Sequence, residues 1–481
     1  MNAQLWKSLG DFVRILLPPA PLTVRVTVPD VGEDALETAR TALHQAFSLV
    51  VEELGIERDV VVTMTGRHDG ADIVEVAADG RPVAIFPAPP VAGWAAQVGA
   101  RTHSALLRRA RVLLDDATVD KIGKKLSGPA ADPARAALRR TLEYLLDNGI
   151  GVQHLDGETA WDDQGCGYSP IEVAECLIND LASPELAVTV AESALRDTPD
   201  DQRTHLVDLR LALYDEHGIR LPEVAIASHD IGPSEVRVRL NDLTTPALPL
   251  TAPATLPGVL AALGPVLTDH AAWFLRADEV AAQRTELASV VPDLVHLSET
   301  QVPTWLLSAC LRALSANSDS IRNLPRIIWL LLDSDPPRDG IDEVTLSKSG
   351  TSPVPDLTSI THEPEFLASA IRRLIAYEAW AGGETPADTH LFGLPAEWED
   401  ALLHATDSRT VAKTEWRIVR ALFASPGSSL IVTHTLAGVA PIRGLLRALP
   451  HPPRVIASQE LPPHAPLPIP VGWGDSSSVS M

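Results

Sequence analysis

Two helices of this sequence end at the same dipeptide, and each lies between strand-like segments in the same order. The dipeptides are Gly55-Ile56 and Gly218-Ile219, and their glycines are 163 residues apart. Glycine is the usual residue just past a helix end, because it adopts a left-handed backbone without a Cβ clash. A strand precedes each helix, and a strand and then a strand pair follow it. The pattern predicts a β-α-β-β unit that occurs twice.

Further segments match in the same order at nearly the same spacing. "ALLRRARVLLDDATVDKI" (105–122) matches "VLTDHAAWFLRADEVAAQ" (266–283), with Val119 and Val280 161 residues apart. "LRRTLEYLLDNGIGVQHL" (138–155) matches "LLSACLRALSANSDSIRNL" (306–324), with an offset of up to 169 residues. Apolar residues recur every three or four positions in the first pair, which predicts helices with one buried face. Collinear matches of this kind indicate two tandem copies of one module.

The fold class predicted is therefore α+β and multidomain, with two tandem modules and a small C-terminal α/β domain. In "SLIVTHTLAGVAPIRGLLRALPHPPRVIAS" two short strands flank a helix, which is typical of a parallel pair. The Pro-rich end "LPPHAPLPIPVGW" either binds a partner or packs back onto this domain. The predicted boundaries are an N-terminal amphipathic helix at 1–20, a first module at 21–180, a second module at 184–335 (α+β part 184–290, helical part 291–335), a linker at 336–360, a C-terminal domain at 361–470 and a polar tail at 471–481.

The charge balance disfavours one class of partner. The 481 residues carry a formal net charge of -24, so the chain repels phosphate backbones, and no nucleic acid is expected as a partner.

No stretch reaches the roughly 18 apolar residues of a membrane span. The apolar run in "SDSIRNLPRIIWLLLDSD" (318–335) is too short for one and predicts a buried helix. The N-terminus does not resemble a signal peptide. We expect a cytoplasmic protein.

Catalytic and metal-binding patterns are weak in this sequence. It has three cysteines and no CxxC pair, and it lacks the common nucleotide-binding, zinc-protease and hydrolase motifs. Cys166 in "QGCGYS" has a glycine-flanked context that an activated nucleophile could use, with His154 as the nearest base in sequence. "GRHDGAD" contains three potential metal ligands, His68, Asp69 and Asp72. The segment is more typical of a hairpin loop than of a metal site. We expect no cofactor, no metal and no enzymatic activity.

Residues from about 184 to 475 resemble the cytoplasmic domain of the FHIPEP family, the export-gate proteins of flagellar and virulence type III secretion. The most specific stretch is "VPDLVHLSETQVPTWLLSACLRALSANSDSIRNLPRIIWLLLD", which is similar to a family segment ending in a "SIRdL" motif. Five residues fall on that motif: Ser320, Ile321, Arg322, Asn323 and Leu324. Arg443 and Glu460 fall on an Arg and a Glu of the family's closing segment. Residues 20–180 are similar to the family more weakly, since "GIGVQHL" replaces "SIRNL".

The motif also has a structural interpretation from its residue types. Ser320 is expected to cap the helix that follows, with its hydroxyl accepting from an orphan N–H. Arg322 and Asn323 are expected to bond neighbouring helices or a neighbouring subunit. Pro325 suits the first turn of the helix, where its missing N–H costs little.

The resemblance implies a function in protein docking. In the family, the soluble domain assembles into a ring and docks chaperones and substrates through grooves between its subdomains. This sequence departs from the family in having no membrane-spanning helices and in duplicating the soluble domain. We therefore predict a non-enzymatic docking or scaffold protein that binds protein partners and can self-assemble into a homo-oligomer. The alternatives are a true component of a protein-export system acting with a separate membrane part, and an enzyme with a loop cysteine.

Overall fold

The computed structural model describes most of the chain in two compact units. The described residues are 20–29, 31–66, 71–90, 93–127, 132–155, 169–181, 186–191, 203–228, 232, 235–250, 255–317, 319–333, 364–381, 391–405, 407–424, 430–461 and 468–470. Unit 1 comprises Met1–Thr198, Glu223–Val259 and Arg447–Pro450, and unit 2 comprises Pro199–Pro222, Leu260–Leu446 and His451–Met481. Residues 1–19 of the predicted N-terminal helix, the linker 336–360, the tail 471–481, Cys166, His68 and Asp69 lie outside the described residues.

The first sheet of unit 1 contains four strands in the order β2-β1-β3-β4. The strands are β1 (Leu22–Val28), β2 (Val60–Gly66), β3 (Ile73–Ala78) and β4 (Arg81–Pro87), and helix α1 (Glu33–Glu53) connects β1 to β2. β1 runs parallel to β2 and antiparallel to β3, and β3 runs antiparallel to β4. Every second residue of β1 is buried, as the alternation of apolar and polar residues in "LTVRVTV" predicts.

The second sheet of unit 1 repeats this arrangement. Its strands are β5 (Leu186–Val190), β6 (Val224–Ser228), β7 (Glu235–Leu240), β8 (Leu243–Thr244) and β9 (Leu248–Pro249), and α6 (Arg203–His217) lies between β5 and β6 in the chain. The order is β6-β5-β7-β8, with β9 also on β7. β5 is parallel to β6 and antiparallel to β7. Both sheets thus share strand order, strand directions and the predicted β-α-β-β sequence of elements.

Helices follow each sheet along the chain. After the first come α2 (Trp94–Arg108), α3 (Asp116–Ser127), α4 (Asp132–Asp147) and α5 (Pro170–Asp180). After the second come α7 (Leu256–Asp269), α8 (Ala277–Leu287), α9 (Pro292–Gln301), α10 (Thr304–Ser315) and α11 (Leu324–Asp333). A single 3₁₀ turn separates α2 from α3 and α7 from α8, namely Ala110–Leu113 and Ala271–Phe274. The break therefore falls at the same position in the two matched segments of the sequence.

The C-terminal part of unit 2 contains a four-stranded parallel sheet in the order β12-β11-β10-β13. Its strands are β10 (Leu391–Gly393), β11 (Leu430–Thr433), β12 (Arg454–Ala457) and β13 (Ile469–Pro470), and its helices are α12 (Pro364–Ala381), α13 (Ala396–His404), α14 (Ser408–Phe423) and α15 (Leu436–Leu446). The predicted parallel pair is present as β11 and β12. The Pro-rich end packs back, because β13 pairs with β10.

The apolar run near the middle of the chain forms α11. Ile327, Ile328, Leu330 and Leu331 are buried there, whereas Trp329 is 45% exposed. The run is therefore a helix with one buried face, as its length predicted. In the part of the chain that the structure describes, no helix is both long and apolar enough to cross a membrane.

The two Gly-Ile dipeptides form the same contact in each unit. Gly55 and Gly218 follow α1 and α6 with positive φ angles of 67° and 78°. The carbonyl just before each glycine accepts one backbone hydrogen bond from a distant segment. Val152 donates to Leu54 at 2.8 Å, and Ile321 donates to His217 at 2.8 Å. We call this pair of contacts the glycine clasp, and its members are the residues that the sequence match aligned.

The glycine clasp has no room for a side chain in unit 2. A Cβ built on Gly218 would lie 2.1 Å from the backbone nitrogen of Arg322. Gly80, in the β3–β4 turn, also has positive φ, at 82°, but a Cβ there meets nothing within 4 Å. A side chain at Gly80 would meet backbone strain alone, whereas a side chain at Gly218 would meet both strain and a steric clash.

We expect Gly218→Ala to lower the free energy of unfolding by about 3 kcal/mol or more, because strain and a backbone clash add together. Gly80→Ala should cost only about 1–2 kcal/mol, the left-handed strain alone. Urea unfolding followed by circular dichroism measures both. Equal losses for the two variants would show that the clasp is not closely packed.

Candidate functional site

The residues of the motif at 320–325 lie at the entry of α11, and their capping differs from the prediction. Asn323, and not Ser320, caps the helix, since its side-chain oxygen accepts from the Arg326 N–H at 3.2 Å. The Ser320 hydroxyl, four residues before α11 begins, accepts instead from the Arg322 N–H at 3.4 Å. Pro325 is in the first helical turn, as predicted.

The other motif residues divide into buried and exposed groups. Ile321 and Leu324 are 3% and 6% exposed and fix the segment in the core of unit 2. The Arg322 side chain is 57% exposed and forms a surface ion pair with Asp215 at 3.2 Å. The motif therefore closes the glycine clasp and presents Arg322 at the surface.

Arg443 joins three helices of unit 2. It forms an ion pair with Glu365 at the start of α12, and it donates to the carbonyl of Ala313 in α10 at 3.4 Å. Its side chain is only 12% exposed. The residue that the resemblance selected on α15 is thus held inside the unit.

Glu460 lies at the centre of a buried ionic network, and its relative exposure is 2%. It accepts from Ser369 at 2.7 Å and from Arg372 at 2.8 and 3.2 Å. Burial alone would lower the pKa of Arg372, but the hydrogen bond and charge of Glu460 hold that pKa above its usual value. Asp319 belongs to the same network through Arg454 and Arg372, and burial raises its pKa.

Glu460→Leu should lower the free energy of unfolding by about 3–5 kcal/mol, because it leaves the Arg372 guanidinium without its main partner in the interior. The double variant Arg372→Met/Glu460→Leu should lose less than the single one, since it removes both charges. Glu37→Gln, in an exposed pair with Arg40, is the control and should change stability by under about 1 kcal/mol. A double variant that is less stable than the single one would contradict this account.

The C-terminal sheet has a strand-to-helix turn of the kind that binds anions in other α/β proteins, and a carboxylate of the chain occupies it. The turn joins β11 to the N-terminus of α15, where backbone N–H groups favour negative charge. Glu399, 1% exposed, accepts from the N–H groups of His434 at 2.7 Å and Thr435 at 2.9 Å. A Cβ on Gly438 would lie 2.5 Å from the same carboxylate. The position is filled by the protein itself.

A groove of about 990 Å³ is a concave candidate site in unit 1. The C-terminal half of α1 forms one wall, and α3 and the 3₁₀ turn Val152–His154 form the others. The connection from α1 to β2 forms its end, at Gly55–Val60. The lining residues are His44, Ser48, Val51, Glu52, Gly55, Ile56, Glu57, Arg58, Asp59, Val60, Thr118, Lys121, Ile122, Val152, Gln153 and Leu155. The glycine clasp of unit 1 is part of this lining.

The groove is lined by polar and apolar groups in similar measure, and its rim is acidic. Glu52, Glu57 and Asp59 are exposed along it. Its two cations are already paired with carboxylates of the chain, since Lys121 contacts Glu57 and Arg58 lies 2.8 Å from Asp79. The field at the rim is therefore negative. Its shape and charge suit an extended apolar segment with basic residues.

One buried hydroxyl also faces the groove. Thr118 is 5% exposed, and its side-chain oxygen has no hydrogen-bond partner among the described residues. No sequence pattern pointed to the groove, because its residues come from four separate segments.

A hairpin of the second predicted module closes one end of the first. The hairpin joins β7 to β8, and Asn241 at its tip has positive φ, at 53°. The carboxylate of Asp242 accepts from the Gly151 N–H at 2.7 Å and lies 2.9 Å from His154 Nε2. The Thr244 N–H donates to Glu53 at 3.0 Å. All these contacts are within unit 1, where they join the β7–β8 hairpin to the end of α1 and to the segment 151–154.

His103 lies buried against the same hairpin. Burial lowers its pKa to about 4, although a hydrogen bond with the backbone of Thr244 acts in the opposite direction. The nearby Arg237 charge lowers it further. Burial also raises the pKa of Glu53. Because an unfolded chain protonates histidine near pH 6.5, acid favours unfolding through His103 between pH 6.5 and about 4.

We expect the His103 contribution to reduce stability by about 2 kcal/mol between pH 7 and pH 5, since the unfolded chain gains a proton that the folded chain does not. His103→Leu should remove this part of the pH dependence. The exposed His296→Leu is the matched control and should retain the wild-type slope. Urea midpoints at the two pH values measure it, and an unchanged slope in His103→Leu would refute the assignment.

The structure describes two cysteines, one at the surface and one in the core. Cys176 is exposed and Cys310 is buried, and burial raises the pKa of the Cys310 thiol to about 12. Within the described ranges, no group of three or more His, Cys, Asp and Glu side chains could hold a metal ion.

Comparisons with known proteins give matches among solved structures. Neither the protein-family models nor the curated proteins contain a match. The chain is similar to MxiA of Shigella flexneri, at 12% identity over 59% of this chain and 97% of that chain, with a TM-score of 0.44. It is similar to the CdsV and CdsO complex of Chlamydia pneumoniae at 13% identity, over 61% and 98%, with a TM-score of 0.45. It is also similar to the nonameric cytosolic domain of EscV from the type III secretion system, at 13%, over 61% and 98%, with a TM-score of 0.43.

The EscV domain belongs to a type III secretion system, the group of proteins that the sequence resemblance named. At these identities and TM-scores, no activity or partner is transferred from those proteins to this chain.

Proposed function

We propose that this chain is a non-enzymatic docking protein that binds extended segments of partner proteins and associates with further copies of itself. The observation that carries the proposal is the groove of unit 1, which combines apolar lining residues with an acidic rim. A basic segment of a partner would place apolar side chains inside and its charges against Glu52 and Asp59. Complementary charge of this kind speeds association and selects partners.

The filled anion position at α15 supports a binding role over catalysis. In open parallel α/β sheets, ligands bind at the carboxyl ends of the strands. Here the Glu399 carboxylate occupies one such end, at β11. The C-terminal sheet then contributes a rigid body to the scaffold.

Tandem duplication of one module is part of the proposal. The two sheets have the same strand order, and the glycine clasp joins equivalent residues in each unit. Duplication explains both at once, because one ancestral contact would appear twice. The second copy retains Arg322 as an exposed group where the first copy has Gln153.

The alternative is a component of a protein-export system that works with a separate membrane part. The sequence resemblance of residues 184–475 to the export-gate domain favours it. Fractionation of the native cell distinguishes the two. Copurification with a membrane export component would support the alternative, and a partner set without one would oppose it.

Charge reversal at the groove rim tests the docking proposal. A labelled peptide of alternating lysine and valine should bind the chain, and Glu52→Lys should weaken binding about tenfold because the groove loses its negative field. Glu299→Lys, an equal change on exposed α9 outside the groove, should bind as the wild type does. Fluorescence anisotropy measures the affinities. Equal weakening in both variants, or none in Glu52→Lys, would remove the groove from the proposal.

A further inference from the structure

Strand β2 is an open edge of the first sheet. It is the outermost strand of the order β2-β1-β3-β4, and none of the described strands pairs with its outer side. The opposite edge is occupied by the chain itself, because Ile85 of β4 donates to the carbonyl of Ala448 at 3.1 Å. Natural sheets usually protect an open edge with charges, proline or a bulge. β2 has the sequence "VVVTMTG", with no charge and no proline.

The hydrogen bonds to β1 determine which backbone groups of β2 face outward. Leu22 of β1 donates to the carbonyl of Asp59 at 2.7 Å, just before β2 begins. In a parallel ladder alternate residues bond to the neighbour, so Val61, Thr63 and Thr65 bond to β1. Val60, Val62 and Met64 therefore direct their N–H and C=O groups to the open edge. Such groups require partners from water or from another strand.

The side chains of β2 are incompletely covered on both faces. Val60, Val62 and Met64 are half-buried, whereas buried residues alternate along the neighbouring β1. On the other face Val61 is 46% exposed, and Thr63 and Thr65 are exposed too. A further strand beside β2 would cover apolar surface on both faces.

We propose that β2 pairs antiparallel with β2 of a second copy of this chain, in a register centred on Thr63. This inference names the surface for the self-association in the proposed function and rests on it. The two-fold axis passes beside Thr63, so that Thr63 lies opposite Thr63 of the second copy. The two four-stranded sheets become one continuous sheet of two chains.

The register follows from the outward backbone groups. Only residues with outward groups can exchange paired hydrogen bonds, so Val62 must lie opposite Met64 of the second copy, or opposite another residue of that set. Centring on Thr63 is the choice that pairs all seven residues of β2. It also places Val61 opposite Thr65 of the second copy.

The sequence of β2 suits itself as a partner. Each cross-strand pair in this register joins uncharged residues, mainly β-branched ones, and such pairs stabilise sheets. A strand with a charge at the centre would instead meet its own charge across the axis. The whole chain carries a net charge of -24, so repulsion between copies opposes pairing. Salt screens that repulsion, and the dimer should therefore strengthen with salt.

A cysteine on the two-fold axis tests the register. In a background with Cys166→Ser and Cys176→Ser, Thr63→Cys should form an intermolecular disulfide under mild oxidation. Opposed residues in a non-hydrogen-bonded pair have Cα atoms about 4.5 Å apart, within the range that disulfides span. Thr65→Cys is the matched control on the same face, since its two copies would lie about 13 Å apart. A mixture of Val61→Cys and Thr65→Cys chains should crosslink as a heterodimer.

A second variant tests the surface without oxidation. Thr63→Lys places two ammonium groups opposite each other and should weaken the dimer by about tenfold or more, as measured by sedimentation equilibrium at a moderate salt concentration that does not fully screen their repulsion. It should leave peptide binding at the groove unchanged.

The outcomes separate the inference from the proposed function. A dimer that persists in Thr63→Lys and gives no Thr63→Cys disulfide overturns β2 pairing and leaves self-association in place. A chain that remains monomeric at high concentration and high salt overturns both. Loss of peptide binding in Glu52→Lys, with an intact dimer, tests docking independently.

Discussion

The glycine clasp is the contact on which the architecture depends. A helix end needs partners for its last carbonyl groups, and a left-handed glycine lets a distant segment approach close enough to supply one. Leu54 and Val152 meet in this way in unit 1, as do His217 and Ile321 in unit 2. Each clasp therefore fixes a helix end against a segment about 100 residues further along the chain, within one unit.

The periodic elements could be predicted from the sequence, because they follow from local rules. Alternating valines specified the strands of both sheets, and Gly55 and Gly218 specified the helix ends. Two short strands, β10 and β13, were not predicted. They have three and two residues, which is too few to show the alternation of buried and exposed residues that marks a strand. The cap of α11 was assigned to Ser320 because serine and asparagine are both good caps. Proline favours the first turn of a helix, and Pro325 therefore marks where α11 begins. Asn323, two positions before it, then occupies the capping position.

The candidate site was less accessible to sequence reasoning than the fold. The groove brings together parts of α1, the α1–β2 connection, α3 and a 3₁₀ turn, and only the tertiary structure unites them. Arg443 and Glu460 were selected by resemblance as interaction residues, and the structure places both in ion pairs inside unit 2. Their burial follows from long-range packing against α12, which no local pattern of charges reveals.

The hairpin at Asn241 and Asp242 sets an order of events during synthesis. Gly151 donates to Asp242, a residue 91 positions further along the chain. Glu53 accepts a hydrogen bond from Thr244, which is 191 positions further along. Residues 21–155 therefore leave the ribosome with polar groups whose partners have not yet been made. These groups can be paired only after the β7–β8 hairpin has emerged, so the N-terminal part completes its contacts late although it is translated first.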